Sequence, residues 1–150
     1  MPLKLSLPTE KDFVLERSDL AYGNDGEPTR VSIRQATQSQ NEKRSHIYSE
    51  VTNVINRDPE DLIPELQLRQ HWSLEELKRV EVFLTLTSCN ILDPNGSPLF
   101  RFKMVNDKST LDMNNQEFAV AWGKLPGDIA LEIHEKVLEV NPLWDGPLGR

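Results

Sequence analysis

Cysteine is nearly missing from this chain: Cys89 is the only one in 150 residues, so no intramolecular disulfide framework is available and a reducing compartment fits best. It lies in an apolar run, where a buried structural thiol outweighs a nucleophile, because reactive thiols need an electropositive, accessible setting. Long apolar runs are missing too. No segment approaches the roughly 18 continuous apolar residues of a membrane span, and the start MPLKLSLPTEKDF has no run of signal-peptide length. The expectation is a soluble, cytoplasmic protein with no membrane partner. Aromatic residues make up 7% and hydrophobic residues 37% of the chain, enough for one modest core beside a long solvated segment. Basic charge is short: 17 Lys+Arg stand against 24 Asp+Glu, a net charge of −7. That balance argues against direct nucleic-acid binding, which depends on cations neutralising phosphates, and against an anionic membrane surface. The acids are dispersed, as at Glu60-Asp61 and Glu75-Glu76, so a small acidic inhibitor of a host nucleic-acid-binding enzyme is the weaker reading of this charge.

Motifs that carry chemistry are also wanting. No G-x-S-x-G, Walker or G-x-G-x-x-G pattern occurs. His134-Glu135 starts like a zinc helix, but the residue that should be the second histidine is Leu138, so His134 is expected on the polar side of an amphipathic helix. Asp93-Pro94-Asn95-Gly96 lacks the glycine and acid positions of a calcium loop and is a plain turn. No catalytic residue, cofactor or metal ligand is expected.

What the chain does have is clear helix punctuation. The best specified segment is 125–144: Pro126 and Asp128 suit a first turn, Ile129, Ile133, Val137 and Val140 form a stripe, and Asn141-Pro142 stops it. Glu132, Glu135, Lys136 and Glu139 fall mainly on the opposite, solvated side. Thr37-x-x-Gln40 and Ser73-x-x-Glu76 are capping boxes, predicting helices over 38–56 and 74–91. The first has a very polar face (Gln38, Ser39, Asn41, Glu42, Lys43, Arg44) and a stripe of Ile47, Val51, Val54 and Ile55; the second has Leu77, Val80, Phe83, Leu84, Thr87 and Ile91 on one face. Between them 59–71 is a connection carrying Leu62, Ile63, Leu66 and Leu68. Alternation at 29–35 predicts a half-buried or edge strand, and 99–105 a strand with Phe100, Phe102 and Met104 on its apolar face, returning through 110–113 as a hairpin. Asn114-x-x-Glu117 opens a short helix that Gly123 ends.

These elements predict a mainly helical α+β domain: about four helices, one β-hairpin and an extended N-terminal arm. The arm covers 1–28, the globular domain 29–144, and a frayed Gly/Pro-rich tail 145–150. Leu3, Leu5 and Leu7, then Phe13, Val14 and Leu15, allow a short strand in the arm, pairing with the domain itself or with another chain. Trp72, Trp122 and Trp144 sit at element boundaries as core wedges, with Trp144 in the tail the one most suited to anchor a partner.

The succession of TRVSIRQATQSQ, a polar-faced helix, and the block from EVFLTLTSCNI through LFRFK to AWGKLPGDIALEIHEKVLEVNPLW resembles small proteins of tailed-bacteriophage tail gene modules. Among these it most resembles tail assembly chaperones, which open with a strand of the type basic-Gln/Glu-x-Thr leading into a helix. The resemblance spans 29–144. It implies a non-enzymatic protein that binds the tape measure protein, keeps its long apolar helices soluble and recruits tail tube subunits. The ordered C-terminal half departs from many such proteins and makes a structural component of the tail or neck the near rival. The expected partner-binding residues are Arg34, Gln38, Asn41 and Lys43 at the polar helix and Trp144 at the tail, with protein partners and homo-oligomers as the expected assemblies.

Overall fold

The computed structural model describes residues 2–3, 9–17, 23, 26–55 and 64–145, with only the backbone described at 48–55 and 64–73. In chain order the elements are β1 (Glu10–Val14), β2 (Arg30–Arg34), α1 (Gln38–Ile55), α2 (Pro64–Thr85), β3 (Leu86–Cys89), β4 (Phe102–Val105), β5 (Lys108–Leu111), α3 (Asn115–Trp122) and α4 (Gly127–Val140), followed by a 3-10 turn at Pro142–Asp145. The α+β class holds. The mainly helical emphasis and the single hairpin do not, because among the described residues five strands build two antiparallel sheets, ordered β1-β2-β3 and β4-β5.

The extra strands come from two places. β1 lies within the segment expected as an arm: it pairs antiparallel with β2, Glu10 opposite Arg34 and Val14 opposite Arg30. Leu15, just beyond it, is fully buried. β3 lies where the second helix was expected to run on to 91. That helix ends at Thr85 and starts at Pro64, ahead of Ser73, so the Ser73-x-x-Glu76 pattern falls in mid-helix. Thr87 is the one β-branched residue of Leu86–Cys89, so pairing decides the strand: β2, whose residues Val31 and Ile33 are buried, gives this segment a ladder. Ser109 Oγ donates to the Thr87 carbonyl at 2.6 Å, so β5 lies alongside β3 and the two sheets abut.

α4 behaves as its stripe requires, burying Ile129, Ile133, Val137 and Val140 against α2 and the β1-β2 edge of the sheet. Pro126 is its N-cap, with no side-chain cap bond, so the helix proper begins at Gly127. Around the stripe the core gathers Val82, Leu86, Phe100, Phe118 and Ala121, and Phe118 joins the rings of Phe100 and Phe83, 5.3 and 5.4 Å away between centroids. α3 carries the expected reciprocal capping box, Asn114 with Glu117, and ends at Gly123. The backbone N–H of Asn114, then Arg101, hold the Glu117 carboxyl below its usual range.

β4 is shorter than the strand expected over 99–105. It turns back through Asn106 and Asp107, both in the left-handed region at φ 52° and 63°, the pattern of a two-residue type I′ turn. Its apolar face runs outward into solvent: Phe100 is buried and Phe102 half-buried, but Met104 is 67% exposed. The turn at 93–96 is as expected, with Asp93 Oδ1 accepting from the N–H groups of Asn95 and Ser97 and Gly96 at φ 83°. The alternation through Leu5 and Leu7, the Asn24-Asp25 turn, the stop at 56–59, Leu62 and Ile63, the side chains of Leu66, Leu68 and Trp72, and the tail at 146–150 lie outside what the structure describes.

Candidate functional site

α1 enters with a true capping box: Thr37 Oγ1 accepts from the Gln40 N–H at 3.3 Å, and Gln40 Oε1 accepts from the Thr37 N–H at 2.9 Å. From Gln38 to His46 the helix then offers no large apolar side chain. Its N-terminal half therefore attaches to the core through polar bonds. Gln40 Nε2 donates to the Leu84 carbonyl at 2.8 Å, capping a group near the end of α2.

Deeper along the same face Arg44, only 8% exposed, extends Nε to Glu81 Oε2 at 2.9 Å. Glu81 has no exposed surface, and His134 Nε2 donates to its other oxygen, Oε1, at 2.8 Å. Three side chains from α1, α2 and α4 thus meet in one sealed seam. Burying a carboxylate requires that its lone pairs be met, and here a guanidinium and an imidazole meet them from opposite sides. The 3-10 turn closes the seam. Trp144 is buried; its Nε1–H donates to Asn41 Oδ1 at 3.0 Å, its carbonyl accepts from Arg44 Nη2 at 3.3 Å, and the Arg44 guanidinium carbon lies 5.5 Å from its ring centroid.

On the other side of α1 opens a groove of about 590 Å³. Its apolar surface comes from Ile47, Val80, Phe83 and Leu84, and its rim from Ser39, Glu42, Lys43, His46 and, at the start of α3, Asn115. The rim side chains are exposed, Ile47 and Phe83 are half-buried, and Val80 and Leu84 belong to the core. An apolar floor inside a polar rim is the general form of a surface that takes up an apolar group and orients it by its polar edges.

Of the five residues expected to bind partners, Lys43 alone lines this groove. Gln38 is exposed at the start of α1, and Arg34 is half-buried at the end of β2, where its carbonyl accepts from Asn141 Nδ2 at 3.4 Å. Asn41 and Trp144 are bonded to each other, and Trp144 is the buried wedge expected of a boundary tryptophan, its N–H held by an acceptor on α1 and its ring by a cation, so it does not stand out as a partner anchor. His134 is corrected from the solvated side of α4 to the sealed seam. So is Glu132, 2% exposed, whose carboxylate accepts from the backbone N–H groups of Glu16 at 3.0 Å and Arg17 at 3.2 Å and thereby fastens the chain after β1.

Sequence reasoning missed the Arg44–Glu81–His134 seam, although a signal was present. Arg44 stands three residues before Ile47, Glu81 lies between Leu77 and Leu84, and His134 stands three before Val137, so each polar residue occupies an apolar register. Cys89, expected as a buried structural thiol, is half-buried, and burial pushes its pKa up to about 11. Among the described residues there is no cluster of three or more His, Cys, Asp or Glu that could hold a metal ion, and no helix is long and apolar enough to cross a membrane. No protein-family model, no curated protein and no solved structure matches the chain.

Proposed function

We propose that this chain is a non-enzymatic, chaperone-like protein of bacteriophage tail assembly, working in the host cytoplasm, and that the α1–α2 groove receives an apolar stripe from a tape measure helix. The groove is the observation that carries the reading. Its Val80, Phe83 and Leu84 surface offers apolar contact, and Lys43, Glu42 and His46 stand where they meet the polar flanks of an amphipathic helix. From Ser39 to Ile47 the α1 wall runs about 12 Å at 1.5 Å per residue, two helical turns, matching an i, i+4, i+7 stripe on the partner. The buried acid is already engaged by both the imidazole and Arg44, which supports a binding role for the region over a catalytic one.

Co-expression with the tape measure protein of the same gene module tests this. The two are expected to co-purify, the tape measure protein is expected to stay soluble only in the pair, and Ile47→Asp is expected to release it. A complex indifferent to Ile47→Asp, or no complex, overturns the reading. The outer edge of β4, which pairs with no other strand among the described residues and exposes Met104 and Val105 at 67% and 47%, favours a second one, a tail or neck component held by permanent contacts. Stoichiometric copies in purified particles are its expected signature.

A further inference from the structure

The C-terminal turn and α1 are joined in a way the groove alone does not require. The first half of α1, 38–46, has no large apolar side chain, so the hydrophobic term that holds other helices of this size is missing there. Gln40 reaches the Leu84 carbonyl, while Asn41 and Arg44 both reach the one residue Trp144. Arg44 continues to Glu81 on α2, so a single guanidinium links the turn, α1 and α2. Pro142 starts the turn directly after Asn141, whose side chain holds the Ala36 N–H at 2.8 Å. The turn is thus anchored on the sheet side independently of Trp144.

We infer that Trp144 is a latch: by holding Asn41 and Arg44 it keeps the N-terminal half of α1 closed on α2, and its release lets that half swing away and uncover Val80, Phe83 and Leu84. The groove wall and the latch share one helix, Glu42, Lys43, His46 and Ile47 on one side and Asn41 and Arg44 on the other. Opening the latch therefore widens the groove. The inference rests on the groove as the working surface, and it makes the C-terminal turn the element that regulates access to it.

Native-state hydrogen exchange on the full chain tests this without a partner. Trp144→Phe keeps an aromatic ring and the carbonyl, and removes the Nε1–H donor together with the five-membered part of the indole. It is expected to speed exchange at amides 41–47 about tenfold, the scale of one lost buried hydrogen bond, while amides in α4 keep their wild-type rates. Asn41→Ala removes the acceptor instead and is expected to give the same local acceleration, and the double variant to be no faster than either single one. Acceleration spread equally over α2 and α4 makes Trp144 an ordinary core residue and overturns the latch, as does unchanged exchange at 41–47 or full additivity of the two variants. A missing partner would sink the proposed function and leave these exchange results standing; uniform exchange would sink the latch and leave the groove.

Discussion

Glu81 is the residue on which most depends, because it is wholly buried and both of its oxygens are engaged by cationic or polarisable neighbours. Glu81→Ala takes away the carboxylate that Arg44 and His134 share in a dry site, and breaking a buried ion pair from one side costs about 3–5 kcal/mol. The expected outcome is a stability loss of that order in urea unfolding. Replacing the trio together by Arg44→Met, Glu81→Leu and His134→Leu is expected to recover most of it, since a well-packed apolar set needs no desolvated partners. Cys89 makes a separate test at this scale. With its pKa up at about 11 the thiol stays protonated at pH 8, so iodoacetamide is expected to alkylate it slowly in the folded protein and rapidly in denaturant, read by mass spectrometry.

The helices differ in what holds them, and so in how they open. α4 is fixed by a fully buried apolar stripe, with Ile133 and Val137 at 0% exposure, whereas the first half of α1 hangs on directional polar bonds that fail one at a time. The β4-β5 hairpin stores a smaller strain, because Asp107 sits at φ 63° where a side chain is disfavoured. Asp107→Gly converts the turn to Asn-Gly, the preferred type I′ pair, and is expected to raise stability by about 0.5–1 kcal/mol, seen as a higher urea midpoint at unchanged slope.

For the whole molecule the N-terminal segment matters more than an arm would. β1 covers the edge of β2, Leu15 fills the core, and the backbone after it satisfies the buried Glu132. Deleting residues 1–17 therefore strips a strand, a core side chain and two hydrogen-bond donors at once. The expected outcome is loss of the cooperative thermal transition by circular dichroism; a detachable arm would leave that transition in place. β1 is also guarded against pairing with itself. An antiparallel pair of β1 strands about a two-fold at the strand's centre sets Asp12 opposite Asp12, and like charges directly opposed are unfavourable. The outer edge of β4, where Met104 and Val105 are exposed, carries less protection.

The amino-acid sequence by itself determined the local features: the capping boxes at Thr37 and Asn114, the stripe and stop of α4, and the turn at 93–96. Each depends on neighbours within about one helical turn or one reverse turn, where steric and hydrogen-bonding preferences act without help. The tertiary structure decided the rest. Leu86–Cys89 becomes a strand because β2 offers it a ladder; His134 and Glu132 go inside because Glu81 and the backbone at 16–17 come from far along the chain to meet them; and Trp144 is buried because Asn41 and Arg44 reach it across more than a hundred and exactly a hundred residues of sequence, respectively. A polar residue is admitted to a core only with its partner present, and no partner can be read from the residue alone.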